Sequence, residues 1–237
     1  MRLFIDIETV PNWQVVTDNT NSERKKKFLA LCRKKLNKVQ YPEQYNDDYE
    51  VQKIGALSPE LGDIICICLG IEDYKNNVFK IKKLIGVEKD ILVDVVTIIN
   101  SIATKNNIQF ISHAGLHFDY PFIVKKLIKY NIDVPTDLYE IVSAKYPPNY
   151  ICDTQEYWRM RNFNDKPSLD LLCYYFDVES PKNGEITGST VFDEYMKGNI
   201  YGIAEYCAND VYALYQIYHK IIRSQEVILP MSGSHQF

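Results

Sequence analysis

The opening run Arg2-Leu-Phe-Ile-Asp-Ile-Glu-Thr9 constrains this chain more than any other stretch. Its apolar, β-branched character predicts a strand from Arg2 to Ile7, and a strand turns residues two apart onto one face. Asp6 and Glu8 therefore point the same way. Two like charges side by side on a core strand cost several kcal/mol unless something cationic neutralises them. A divalent metal is the usual solution.

A chain of 237 residues, 46% hydrophobic and 24% charged, can bury a sizeable core and reads as one globular domain, residues 1–237, with an elaborated insertion at about 13–53. No apolar run reaches the roughly 18 residues of a membrane span, and the N-terminus enters a strand pattern without a charged leader, so a cytoplasmic location with no membrane contact is expected. The six cysteines (Cys32, Cys66, Cys68, Cys152, Cys173, Cys207) lack paired spacing and read as reduced thiols, with no Cys/His cluster suited to zinc. A net charge of −4 argues against a protein that coats long nucleic acid, since that relies on Lys and Arg displacing counterions. It leaves room for an enzyme that grips a short end.

Further strands are expected at Ile64–Ile71, after the turn Ser58-Pro59-Glu60-Leu61-Gly62-Asp63, at Val78–Leu84 and at Gln109–Ser112. Helical spacing of Ile91, Leu92, Val95, Ile98, Ile99 and Ile102 predicts a helix over Asp90–Ala103. Others are expected at Phe122–Tyr130, behind Pro121, at Pro167–Phe176 and at Ile203–Ile222. The segment Glu23–Lys38 holds eight basic residues against one acid, with a helical apolar stripe of Phe28, Leu29, Leu31, Cys32 and Leu36. A basic helix beside an acidic site suits phosphates, while a solvated face of a surface insertion accounts for the same residues.

Three more acidic or phenolic positions complete a pattern. Asp119, in His117-Phe-Asp-Tyr-Pro121, sits between an expected strand and an expected helix, where it serves either as an N-cap or as a carboxylate near the positive helix end. Tyr206 and Asp210 stand four apart in an expected helix, so both leave the same face.

Asp-x-Glu on a first strand, Phe-Asp-x-Pro near the middle and Tyr-x-x-x-Asp in a late helix resemble the DEDD exonuclease superfamily in its tyrosine-bearing (DEDDy) division. The segments Ile5–Pro11, Ala56–Cys66, Ser180-Pro-Lys182 and Gly188-Ser-Thr-Val191 look like stand-alone proteins related to the proofreading exonuclease domain of family B DNA polymerases. The resemblance spans nearly the whole chain outside the insertion. It implies an α/β, ribonuclease H-like fold: a mixed five-stranded sheet, second strand antiparallel, flanked by helices.

By that resemblance Asp6, Glu8 and Asp210 bind one metal, and Asp6 bridges to a second that Asp119 helps hold. Two Mg²⁺ or Mn²⁺ ions roughly 3.5–4 Å apart activate the attacking water and stabilise the leaving 3′ oxygen. Tyr206 orients the water or helps deprotonate it, and positioning is the favoured role because a phenol with an ordinary pKa near 10 is a poor free base. The family pattern has Asn five residues before the central Asp, where this chain has Ala114. Thr9 is expected to contact the terminal nucleotide, Phe118 and Tyr120 either stack a base or pack in the core, and Lys182 and Ser189 either border the substrate groove or sit exposed on a loop. His113 and His117, four apart, read as loop or core residues rather than a metal pair, Trp158 as packing, and Asp153, at a strand end, as a carboxylate behind the metal ligands.

The expected function is metal-dependent 3′-to-5′ hydrolysis of single-stranded DNA ends. An exoribonuclease acting on short RNA and a non-catalytic nucleic-acid-binding subunit of a replication complex are the alternatives. A chain of this length leaves no space for a polymerase, so proofreading would work in trans with replication or repair proteins.

Overall fold

The first strand becomes the centre of the sheet. In the computed structural model, which describes residues 1–17, 22–36, 48–104, 107–181, 184, 186–222 and 228–231, β1 (Arg2–Pro11) is followed by α1 (Trp13–Thr17), α2 (Ser22–Leu36) and α3 (Asp48–Lys53). A 3-10 turn (Ile54–Leu57) leads into β2 (Gly62–Asp73), β3 (Val78–Ile85), α4 (Glu88–Ala103) and β4 (Gln109–Ser112). Then come α5 (Asp119–Lys129), α6 (Thr136–Ser143), β5 (Ile151–Asp153), α7 (Thr154–Trp158), α8 (Leu169–Tyr175), α9 (Val191–Met196) and α10 (Ile200–Ile221).

The strand order is β3-β2-β1-β4-β5. β2 runs antiparallel to both β1 and β3, while β4 lies parallel to β1 and β5 parallel to β4. The result is a mixed α/β architecture with a five-stranded sheet flanked by helices. Both faces of β1 are covered, which is why it reads as a nearly continuous apolar run. Leu3, Ile5 and Ile7 share a cluster with Leu92 and Val95 of α4 and Phe122, Ile123 and Leu127 of α5. Phe4 faces the other way, into a cluster with Ala204, Cys207, Val211 and Tyr215 of α10. Leu3, Phe4 and Ile5 are at most 1% exposed, and each such side chain contributes about 1.5–3 kcal/mol of burial.

Several expectations shift. β1 runs on past Ile7 to Pro11, with a register slip between Glu8 and Thr9. The helix expected from Phe122 begins at Asp119, so Pro121 occupies its first turn, where a missing N–H costs nothing. Phe118, without a side-chain cap, takes the position that Asp119 was read to fill as an N-cap. Pro167 falls outside α8 because Ser168 caps it, its Oγ accepting from Leu171 N at 3.1 Å. β5, α6, α7 and α9 carry three to eight residues each, too few for a period to show.

In the basic segment, α2 buries Phe28, Leu29, Cys32 and Leu36 but leaves Leu31 42% exposed. Lys38 lies outside the described residues. The stripe packs with Val10, Val51, Ile54, Phe192, Ile203 and Tyr206, so the segment after β1 is tied to the same core that supports Tyr206. Among the described residues no helix is long and apolar enough to cross a membrane.

Candidate active site

The parallel strands β1, β4 and β5 end on one edge, and the side chains of interest gather there. Asp6 and Glu8 share the β1 face that α10 covers. α10 forms because Ile203, Val211, Leu214 and Ile217 repeat on its buried face and Asn199 caps its start, accepting from Gly202 N at 3.1 Å. It presents Tyr206, 8% exposed, and Asp210, 9% exposed, one turn apart and hydrogen-bonded to each other. Between them Cys207 donates its thiol to Asp6 Oδ2 at 3.3 Å.

Asp119 arrives from β4 through a tight loop. Its Oδ1 accepts the backbone N–H of Ile7 at 3.1 Å, a group left unpaired where the β1–β4 ladder ends. A Cβ on Gly115 would stand 2.5 Å from Ser112 Cβ and 3.2 Å from Asp119 Oδ2, so only glycine lets the loop close this tightly. Asp153, 4% exposed, holds the loop in place. It accepts from the N–H groups of Ala114 and Leu116 at 3.0 Å each, from Gln155 at 3.1 Å and from Ser112 Oγ at 3.3 Å. It touches Asp119 through the loop it pins, a role that a strand-end position alone did not reveal.

The electrostatics follow from burial that nearby hydrogen bonds offset only in part. Asp6 is raised well above the ordinary carboxylate range by burial first, then by Asp210, Asp119 and Glu8, with the Cys207 hydrogen bond opposing. Glu8 is raised by burial, then by Asp210, Cys66 and Asp119. Burial pushes Asp119 up to about 7; its backbone hydrogen bonds hold it down in part, while Asp153 and Asp210 push it further. Such carboxylates take protons or a cation. Their all-oxygen donor set fits a hard divalent ion such as Mg²⁺ or Mn²⁺.

The other candidates are placed as follows. Thr9 Oγ1 donates to Ala56 O at 2.8 Å, and Thr9 and the exposed Ser189 rim one cavity of about 190 Å³ with Lys53, Ala56 and Phe192. Lys53, which the sequence gave no reason to single out, is held there by Glu50 at 3.0 Å and Asp193 at 3.1 Å. Phe118 is half-buried against Phe122, ring centroids 5.6 Å apart, and Tyr120 is fully buried. Lys182 lies outside the described residues. His113 bonds Thr154 Oγ1 at 2.9 Å and Pro167 O at 3.0 Å, and His117 pairs with Glu156 at 2.8 Å. Trp158 packs on Phe176, centroids 5.1 Å apart.

One reading is corrected. A cysteine cluster, which the sequence reading did not expect, is present: the sulfurs of Cys66, Cys68 and Cys207 lie within 4.8 Å of one another. Cys66 and Cys68 alternate onto one face of β2, and only the packing of α10 brings Cys207 to them.

Comparison with curated proteins returns no match to this chain. A family model does match, over residues 57–230. That stretch contains Asp119, Tyr206 and Asp210 and is narrower than the likeness drawn from motifs. It begins after β1, so Asp6 and Glu8 join the site through geometry. With most of its length matched, the chain belongs to the family described as predicted 3′-5′ exonucleases related to the exonuclease domain of PolB.

Proposed function

We propose that the chain is a divalent-cation-dependent 3′-to-5′ exonuclease of the tyrosine-bearing DEDD division, with a ribonuclease H-like fold, that trims single-stranded DNA from its 3′ end. The observation that carries this reading is that Asp6 and Glu8 of β1 lie, buried, within electrostatic reach of Asp119 of α5 and Asp210 of α10. Burial and mutual repulsion there hold Asp6, Glu8 and Asp119 above their ordinary range. Asp6, Glu8 and Asp210 would hold one Mg²⁺ or Mn²⁺, and Asp6 with Asp119 a second. Bound there, such ions supply charge stabilisation for an in-line displacement at phosphorus and lower the pKa of the attacking water.

The protein's own groups bind and orient. Tyr206 is pushed above the usual phenol range by burial first and then by Asp210, Glu8 and Asp6. It therefore keeps its proton at neutral pH and orients the water rather than deprotonating it. Asp119 is fixed by Ile7 N–H, and the loop that carries it by Asp153, so its carboxylate needs little rearrangement on binding a cation. Thr9 and Ser189 rim a cavity that would seat the terminal nucleotide, with Lys53 beside it as a cation for phosphate. Phe118 offers a ring to the terminal base, and Lys182 a charge to the backbone. Replication or repair proteins that deliver frayed 3′ ends are the partners this reading implies.

Matched 5′-labelled DNA and RNA oligonucleotides, incubated with the protein and Mg²⁺ or Mn²⁺, test the reading. A ladder of shortening DNA products that Asp6→Ala and Asp210→Ala abolish is expected. Full activity in both variants would sink the assigned site, and shortening of RNA alone would reassign the substrate.

A further inference from the structure

The β2 face turned toward α10 places two thiols directly across from the two carboxylates. In the antiparallel register Asp6 stands opposite Cys68 and Glu8 opposite Cys66, and residues so paired project to the same face. α10 lays Cys207 over them. The sulfurs of Cys66 and Cys68 are 3.9 Å apart, and Cys207 Sγ is 3.3 Å from Asp6 Oδ2. Ligand atoms of Asp6, Glu8 and Cys207 also lie within 4.8 Å of one another. One sulfur thus belongs to both groups.

Buried cysteines in a core are ordinarily small apolar residues. Three that converge, with the Asp6 carboxylate against one of them, form a different object. Tetrahedral zinc with Zn–S near 2.3 Å requires sulfur–sulfur edges of about 3.8 Å, and the Cys66–Cys68 pair already stands at that separation. Two donors sit on an inner strand of the sheet and one on a long helix, so the geometry is held by rigid elements. Thiolates select soft or borderline cations, whereas the neighbouring carboxylates select hard ones. Asp6 is half-buried and 3.3 Å from Cys207 Sγ, so the thiol group and the carboxylates adjoin.

We propose that Cys66, Cys68 and Cys207, with Asp6 as fourth donor, bind a thiophilic divalent cation of the Zn²⁺ class. An Asp6 engaged there is withdrawn from the carboxylate centre, so the two classes of cation exclude one another. Only this exclusion rests on the reading of Asp6 as a ligand for Mg²⁺ or Mn²⁺.

Co²⁺ titrated into the reduced full chain is the probe. One equivalent should give a thiolate-to-cobalt charge-transfer band and the strong visible absorption of a tetrahedral site, displaced by Zn²⁺. Cys68→Ser and Cys207→Ser should each weaken binding at least roughly tenfold, since even outer-shell losses cost about 10–100-fold, and Cys152→Ser should leave it intact. Absence of the band, or its persistence in the Cys66→Ser/Cys68→Ser/Cys207→Ser variant, overturns the site. The wild type loaded with ¹¹³Cd²⁺ gives a check that needs no variant: a resonance typical of sulfur coordination supports the site, and one typical of oxygen donors alone overturns it. Excess Mg²⁺ should weaken Co²⁺ binding. If it does not, the shared Asp6 is wrong while the thiol site stands, and neither result depends on whether the protein degrades DNA.

Discussion

Two sides of one sheet bury acids in opposite ways. On the α4/α5 side Glu88, 8% exposed, has its neutralising partners built in: Lys126 at 3.1 Å, Lys129 at 3.2 Å, the Tyr130 hydroxyl at 2.7 Å and the backbone N–H of Ile64 at 2.7 Å. On the α10 side the principal neighbours of Asp6 are Asp210, Asp119 and Glu8, with the Cys207 thiol as a weak donor. A lysine locks an acid in place permanently. A cluster whose principal neighbours are other acids stays ready for a cation that comes and goes, and this difference separates a structural ion pair from a candidate catalytic centre.

The sharpest break of the comparison removes one carboxylate. Asp210→Ala should lower exonuclease activity by roughly a thousandfold or more, the scale on which preorganised charge stabilisation acts. Metal-free, the same variant should melt no lower than the wild type, because the loss relieves repulsion on Asp6 and Glu8. Thermal melts in chelator check the second half. The mirror experiment is Lys126→Met, where Lys126 is 1% exposed. Leaving Glu88 and Asp63 to the Lys129 cation, at 3.2 and 3.7 Å, should destabilise the protein by about 3 kcal/mol in urea unfolding, the low end for a broken buried pair. Equal stability losses in the two variants would erase the distinction.

A pH series sharpens it without mutation. Asp119 rises from 3.8 to about 7 on folding, and Asp6 and Glu8 move the same way. A carboxyl with a raised folded pKa stabilises the fold fully below about pH 4, and that contribution is lost as pH climbs through about 7. The metal-free protein should therefore lose melting temperature across this window. The increment gained on adding Mn²⁺ should grow over the same range, and a flat increment would contradict cation binding at these groups.

Much of this contrast was legible in the chain itself. Asp6 and Glu8 announced a shared face because β-strand alternation is a local rule, and Tyr206 and Asp210 did so because the helical repeat is one as well. The thiol cluster was not legible. Cys66 and Cys68 lie far from Cys207 in sequence, and only the β1–β2 register and the seating of α10 join them. Asp153 was hidden for a related reason: its worth lies in backbone N–H groups of a loop, which carry no sequence signal. β5 showed only as a strand end at Asp153, because three residues carry no period, although the family resemblance implied a fifth strand.

Smaller changes probe how the donor-poor centre is held. Tyr206→Phe removes the hydroxyl bonded to Asp210 and keeps the ring in the cluster with Val10 and Phe192. Activity should fall by about 10–100-fold if the phenol orients the water, with the melting temperature nearly unchanged. A loss as large as that of Asp210→Ala would give the phenol a larger role than positioning.

The smallest effect concerns the loop that carries Asp119. Ala114 sits at φ +60°, a left-handed conformation that costs an alanine roughly 1 kcal/mol. Asn and Gly adopt that region readily, which gives the Asn of the family pattern a backbone reason in addition to any contact its amide makes. The Ala114 N–H that bonds Asp153 at 3.0 Å depends on this conformation, so the strain is held in place by the carboxylate that pins the loop. Ala114→Gly should raise stability by about 0.5–1 kcal/mol, read as a higher urea midpoint at unchanged slope. Ala114→Asn should gain less in stability, and any increase in its activity over Ala114→Gly would measure what the missing amide does for substrate rather than for the turn.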